Sequence, residues 1–191
     1  MRVSKEQAAE NRARILAEAA RLFRERGLSG VGVDALTEAA GLTHGSLYSQ
    51  FGSKERLAAA AVEHALTESA LSRLPAEGGP AELAAAIGRY LSPRHRDAPG
   101  QGCAFAALGC EMPRQGPALR KVFTDGLRER VARFAAMLPG RRHEAPEEQA
   151  LALLAGMIGA LILARAVDDP ALSDRILAAT AAELQDRLPK A

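Results

Sequence analysis

An all-α fold is what this sequence predicts, and three observations predict it. Ala and Leu dominate a chain with 4% aromatic residues and no Trp, a composition that favours helix over strand. Apolar residues recur at helical rather than alternating spacing, as at Ile15, Ala19, Leu22 and Phe23. Gly, Pro and small polar residues stand where helices of ordinary length need to start and stop. With 191 residues, 48% of them hydrophobic, the chain is long enough for one large domain or two small ones sharing a core.

The elements follow in order. A first helix runs from Lys5 to Arg26 and ends at Gly27. A second fits Val33 to Ala40, with Ala35, Leu36, Ala39 and Ala40 inward, and Gly41 supplies the freedom for a tight turn. Thr43 is placed to cap a third, His44 to Phe51, with Leu47 and Phe51 inward, and Ser53 caps a fourth, longer helix from Lys54. PAEGGP at 75–80 breaks a helix, and PRHRDAPGQG at 93–102 is expected to be a loop. The stretch 116–138 carries Leu119, Val122, Phe123, Leu127, Val131 and Phe134 at helical spacing, and PGRRHEAP at 139–146 is a further loop. Pro146 and Pro170 open two closing helices, to Val167 and Leu188, where the missing N–H costs nothing. The total is about nine helices.

Several function classes find no support. The longest apolar run, Ala150 to Ala164, falls short of the roughly 20 residues that a bilayer demands, so it is expected to be a buried helix and no membrane partner is implied. MRVSKEQAAENRARIL has no apolar stretch leading to a cleavage site, and two cysteines suit a reduced compartment; a cytoplasmic location is expected. His44, His64, His95 and His143 are scattered without metal-ligand spacing. With no GxSxG, phosphate loop or paired Glu/His set, no catalytic residue, cofactor or metal is expected, and the chain is not expected to be an enzyme. Residues 1–57 hold nine Lys/Arg and seven Asp/Glu, leaving 16 of each sign in the remainder, so the net charge of +2 sits at the N-terminal end. That excess alone is too small to imply nucleic acid.

The motif is more informative. Three short helices, two of them joined by a Gly-containing turn, fit a helix-turn-helix domain. Residues 27–57 read GLSGVGVDALTEAAGLTHGSLYSQFGSKERL. In Gly27, Leu36, Ala40–Gly41–Leu42, Gly45, Tyr48, Phe51, Lys54 and Leu57, this stretch resembles the TetR family of regulators, and ILAEAARLFRERG before it is similar to that family's first helix. The likeness covers about 60 residues. Gly32 stands where relatives often have a Ser or Thr cap, and Gln50 where they often have His.

The candidate DNA-binding residues are Thr43, His44, Gly45, Ser46, Tyr48, Ser49, Gln50 and Lys54. Thr43, His44, Ser46 and Ser49 lie on the exposed side of the third helix, where short polar side chains reach base edges or phosphates. Gly45 has no Cβ, which lets the helix start lie against a phosphate backbone. Tyr48 offers a hydroxyl and Lys54 an ammonium to phosphate oxygens, Lys54 at a helix N-terminus that already favours an anion. Gln50 is expected to make a backbone or packing contact. Taken singly, each of these residues is also ordinary helix surface or core.

The resemblance implies a helix-turn-helix DNA-binding domain at 1–52 and a helical ligand-binding and dimerisation domain at 53–191. It implies a homodimer whose helices at 146–167 and 170–188 form a four-helix interface on double-stranded, palindromic operator DNA. The expected function is repression released by a small-molecule ligand; a helical small-molecule binding protein or enzyme without DNA affinity is the alternative. Ala155, Gly156, Gly159 and Ala160 offer a small-residue face for that interface, with Leu153, Met157, Leu161 and Leu163 adding apolar area. Phe105, Leu108, Met112, Phe123, Leu127 and Met137 are candidate ligand-binding residues, or simply core. Cys103 and Cys110, seven apart, are expected to share one helix face, as oxidant sensors or as inert packing.

Overall fold

The computed structural model describes residues 5–41, 43–69, 71–72, 74, 78–138 and 145–188. His143, Leu42 and most of the 139–146 loop lie outside them. Among the described residues there are ten α-helices and no strand: α1 (Lys5–Arg26), α2 (Val33–Ala40), α3 (His44–Phe51), α4 (Lys54–Thr67), α5 (Pro80–Tyr90), α6 (Pro93–Arg96), α7 (Ala104–Leu108), α8 (Pro117–Ala136), α9 (Pro146–Ala166) and α10 (Pro170–Asp186). Short 310 turns stand at Pro99–Gln101 and Met112–Arg114. Two compact units result: residues up to Glu68 with Pro99–Thr124, and Ser69–Ala98 with the chain from Asp125.

In the first unit α1 is the central helix, packed on α2, α4, α7 and the 310 turn at Pro99–Gln101. Its stripe of Ile15, Ala19, Leu22 and Phe23 is buried, as are Leu36, Leu47, Phe51 and Leu57 of the next three helices. Gly27 ends α1 at φ +76°, and its N–H donates to Phe23 O at 2.9 Å. The Glu111 carboxylate then accepts from Leu28 N and Ser29 N, at 3.1 and 3.3 Å, so close that a Cβ on Gly27 would sit 2.5 Å from Glu111 Oε1. The inward face of α2 differs from expectation. Leu36, Ala40 and Thr37 are buried, Ala39 is exposed and Ala35 lies between. Thr37 tolerates burial because its hydroxyl donates to Val33 O and Asp34 O of its own helix.

In the second unit α9 packs chiefly on α10, and α10 on α5. By length and hydropathy α9 is apolar enough to cross a membrane; here Leu153, Leu154, Met157 and Leu161 are buried in the unit's core. The small-residue face is divided. A Cβ on Gly156 would meet Leu184 at 3.3 Å within the same chain, Ala160 is buried, and only Ala155 and Gly159 lie towards open space.

The expected 93–102 loop is instead α6 followed by a 310 turn, which accounts for the tenth helix. Ser92 caps α6 by accepting from His95 N, and Pro93 opens it. Arg165 of α9 closes the other end by donating to His95 O and Arg96 O at 2.7 and 3.0 Å. The carbonyls of a one-turn helix are thus satisfied by a donor 70 residues away. Cys103 and Cys110 do not share a helix. Cys103 is the buried residue before α7, and Cys110 is exposed beyond its end, because α7 stops after five residues at Leu108.

Candidate nucleic-acid interface

The geometry of α3 begins with its caps. Thr43 is extended and its hydroxyl accepts from Ser46 N at 3.3 Å, which starts the helix. Gly52, at φ +77°, ends it by donating to Tyr48 O. Ser53 then caps α4 by accepting from Arg56 N. Gly32 leaves α2 without a side-chain cap, while Gly41, at φ +63°, closes that helix through Glu38 O and Thr37 O. Each short helix therefore starts and stops on local chemistry, and the α2–turn–α3 angle is held by α1 and α4 packed against it.

One side of α3 is core and the other is free. Leu47 and Phe51 are buried, whereas Thr43, His44, Gly45, Tyr48 and Ser49 are exposed, and Ser46, Gln50 and Lys54 are half-buried. Tyr48 is 48% exposed, an apolar ring left in water unless something covers it. A Cβ on Gly45 would meet nothing nearer than Thr43 Oγ1 at 4.0 Å, so the start of α3 is open to close approach. Ser49 Oγ donates to Ser46 O at 3.0 Å. Gln50 takes part through its backbone: its carbonyl oxygen accepts from Arg12 Nη1 at 3.1 Å, and the Arg12 guanidinium lies 4.3 Å over the Phe51 ring.

Two residues of this surface escaped the sequence reading. Arg12 buttresses the end of α3 from 38 residues away. Asp34, in the first turn of α2, places Oδ1 2.6 Å from His44 Nε2. Neither carries a local signal, because both roles depend on where α1 and α2 pass α3.

The candidate ligand residues fall in both units. Phe105 and Phe123 meet edge to face with ring centroids 5.0 Å apart, and Leu108, the last residue of α7, and Met112, in the following 310 turn, are buried. Leu127 is half-buried and Met137 buried, both in the second unit. A hollow of about 320 Å³ in the second unit is lined by Arg96, Asp97, Arg165, Asp168 and Ser173, among others, and by none of those six. There Arg96 bridges Asp97 and Asp174 at 2.7 and 2.6 Å, and Arg165 donates to the His95 and Arg96 carbonyls. Among the described residues, no three of His, Cys, Asp or Glu gather as a metal site.

With the site in place, residues 15–61 match the N-terminal domain of the bacterial regulatory proteins of the tetR family. The whole chain is similar to solved structures of such regulators. NemR from E. coli in its reduced form superimposes with a TM-score of 0.79 at 23% identity, covering 95% of this chain and 98% of that one. A TetR-family regulator from Agrobacterium tumefaciens gives 0.78 at 19%, covering 96% and 100%. A regulator from Saccharomonospora viridis in complex with choline gives 0.74 at 19%, again covering 96% and 100%. No curated protein matches the chain. Residues 15–61 thus match the N-terminal domain of the tetR family, and the chain as a whole has the fold of solved TetR-family transcriptional regulators.

Proposed function

We propose that this protein is a homodimeric transcriptional repressor that leaves a palindromic operator when a small molecule binds. The observation that carries the DNA-binding part is α3 itself: Leu47 and Phe51 hold it to the core, while Thr43, His44, Tyr48 and Ser49 project as an exposed row. Such a row suits a major groove, with Tyr48 and Lys54 on phosphates and His44 and Ser46 near base edges. Residues 1–52 serve as the DNA-binding domain and 53–191 as the ligand-binding and dimerisation domain.

The dimer is supported by an apolar stripe that lies largely open among the described residues. Leu151, Ala155, Gly159 and Leu163 recur every four residues on the outer side of α9, with Leu151 42% and Leu163 57% exposed. Leu172 of α10 is exposed as well. Two recognition helices, brought together by such a face, reach major grooves roughly 34–36 Å apart. The candidate effector-binding residues are Phe105, Leu108, Met112 and Phe123 in the first unit, and Leu127 and Met137 in the second, each taken within its own unit; a protein of this fold solved with choline supports a small-molecule effector in general. Ligand release is a population shift, and it requires an effector with different affinities for the bound and released states. No catalytic role is assigned, and the protein acts in the cytoplasm. A redox role is the subsidiary reading, favoured by one observation: Cys110 is exposed.

The test is fluorescence anisotropy against DNA from immediately upstream of the coding sequence, at several salt concentrations, with unrelated DNA as control. The repressor reading expects preferential, salt-sensitive binding with two chains per site. A folded protein with no salt-dependent affinity for any DNA would sink it in favour of a helical ligand-binding protein.

A further inference from the structure

We propose that Glu111 is a positioning residue for the helix-turn-helix, and the point through which the segment 99–114 acts on it. Its carboxylate latches the connection that enters α2 in the state that binds DNA, and an effector seated against that segment weakens DNA binding by opening the latch. The inference rests on the proposed repressor function and names how its two sites are joined.

The connection 27–32 reads GLSGVG, and it is held differently from the next two helix starts. α3 begins on the Thr43 cap and α4 on the Ser53 cap, each a neighbour in sequence. α2 begins on Gly32, which has no side chain to cap it. Leu28 and Val31 are buried, and a polar hold comes from far along the chain. Leu28 N and Ser29 N both donate to the Glu111 carboxylate, 83 and 82 residues on, at 3.1 and 3.3 Å. Two amides on one carboxylate make charge-assisted bonds, stronger than neutral ones, and they fix where the chain turns from α1 towards α2.

The same segment is anchored at its other end. Arg24 Nε and Nη2 donate to Gly100 O, and Gly100 is buried so close to Glu25 that a Cβ there would find no room. That end is close-packed. The Glu111 end is open, with Glu111 half-buried and Ser29 exposed, so water replaces its hydrogen bonds at small net cost. Between the two ends stand Phe105 and Leu108, both buried, with Phe105 edge to face on Phe123. These residues fall in the same compact unit as the helix-turn-helix. A ligand that parts Phe105 from Phe123 displaces α7 about its anchored end, and Glu111, just beyond α7, moves with it. α4 also packs on α7, so the test has to separate that route from the latch.

Coupling between two sites is reciprocal, so DNA serves as the probe: if opening the latch weakens DNA binding, DNA binding must tighten the latch and the segment behind it. The duplex is one that the parent protein selects from a randomised pool. Hydrogen–deuterium exchange is measured with and without it on the full-length parent, Glu111→Ala and Glu111→Gln, with anisotropy for affinity and circular dichroism melts for folding. Glu111→Ala should speed exchange of the Leu28 and Ser29 amides and weaken duplex binding by about fivefold or more. Glu111→Gln keeps a neutral acceptor and should fall between. In the parent the duplex should slow exchange across 104–112 by about threefold or more, and in Glu111→Ala that slowing should disappear. Where Glu111→Ala does not fold, Glu111→Gln carries the same comparison, with the slowing at least reduced. A merely structural contact would lower the melting temperature and the affinity but leave the slowing at 104–112 intact. That result would route the coupling through α4 and overturn the assignment, as would Leu28 and Ser29 amides that exchange alike in parent and variants. No slowing at 104–112 in a parent that binds the duplex would also overturn it, leaving the DNA-binding reading in place. A parent that selects no duplex would overturn that reading, and this inference with it.

Discussion

Arg12 Nη1 donates to the backbone carbonyl of Gln50 at 3.1 Å, and the same guanidinium lies 4.3 Å over the Phe51 ring. One side chain on α1 thus satisfies a carbonyl near the end of α3 and covers the aromatic residue that anchors it. Arg12→Ala should lower stability by about 1 kcal/mol, the usual size of an exposed cation–π contact plus one hydrogen bond. Urea unfolding would measure it. The variant should also bind DNA less tightly, because α3 is less firmly seated. An unchanged midpoint would show that α3 needs no such buttress.

Tyr48 and Lys54 are assigned to phosphates, which carry no sequence information. Lys54→Ala should therefore weaken binding to specific and unrelated DNA alike and reduce the slope of log affinity against log salt by about one. Tyr48→Phe should weaken both without changing the slope, since it removes a hydroxyl and no charge. Anisotropy titrations across salt concentrations read both quantities. A loss confined to one DNA sequence would move these residues to base edges.

Gly27 and Gly41 both end helices at positive φ, yet their surroundings differ. At Gly27 a Cβ would press on Glu111 Oε1, whereas at Gly41 nothing lies within 4 Å. Gly41→Ala should cost about 1–2 kcal/mol from backbone conformation alone. Gly27→Ala should cost more, because Glu111 must also release the Leu28 and Ser29 amides. Thermal unfolding of the two variants side by side is the comparison; equal costs would mean that Glu111 yields freely.

His95 is held below its ordinary value of 6.5, first by burial and then by the nearby Arg165 charge, with its hydrogen bond to the Tyr90 carbonyl acting the other way. The unfolded chain therefore binds this proton more readily than the folded one. Stability from the neutral ring is complete above pH 6.5 and is lost as pH falls below it towards the folded value. The melting temperature should drop between about pH 7 and pH 5, and His95→Asn should flatten that drop. A pH profile identical in the variant would assign the loss to other groups.

Leu163 and Gly156 lie one above the other in sequence terms on α9 but do opposite work. Leu163→Glu should convert a dimer into monomers in sedimentation, since Leu163 is exposed within the chain. Gly156→Val should instead lower thermal stability, because a Cβ added there would meet Leu184 of the same chain at 3.3 Å. A dimer that survives Leu163→Glu would place the interface elsewhere.

Much of this architecture was legible in the residues alone. The bounds of α1, α2 and α3 and the start of α4 follow from Gly27, Gly41, Thr43 and Ser53, and Pro146 and Pro170 mark the starts of α9 and α10. Caps of this kind act over three or four residues, so they are written where they are used. The exposed and buried sides of α3 were legible for the same reason: Leu47 and Phe51 share a face at helical spacing.

What tertiary structure decided is what depends on contact between distant segments. Arg165 reaches the carbonyls of α6 from α9, and Thr37 is buried in place of the expected Ala39. α7 is too short to hold Cys103 and Cys110 on one face. Gly156 faces Leu184 rather than solvent, Arg12 finds Gln50, and Asp34 finds His44. Local hydrogen bonding and side-chain spacing set where helices begin and end. Only their packing sets which of two plausible faces is covered and which polar groups meet, because those pairings are made through space by residues that the chain keeps far apart.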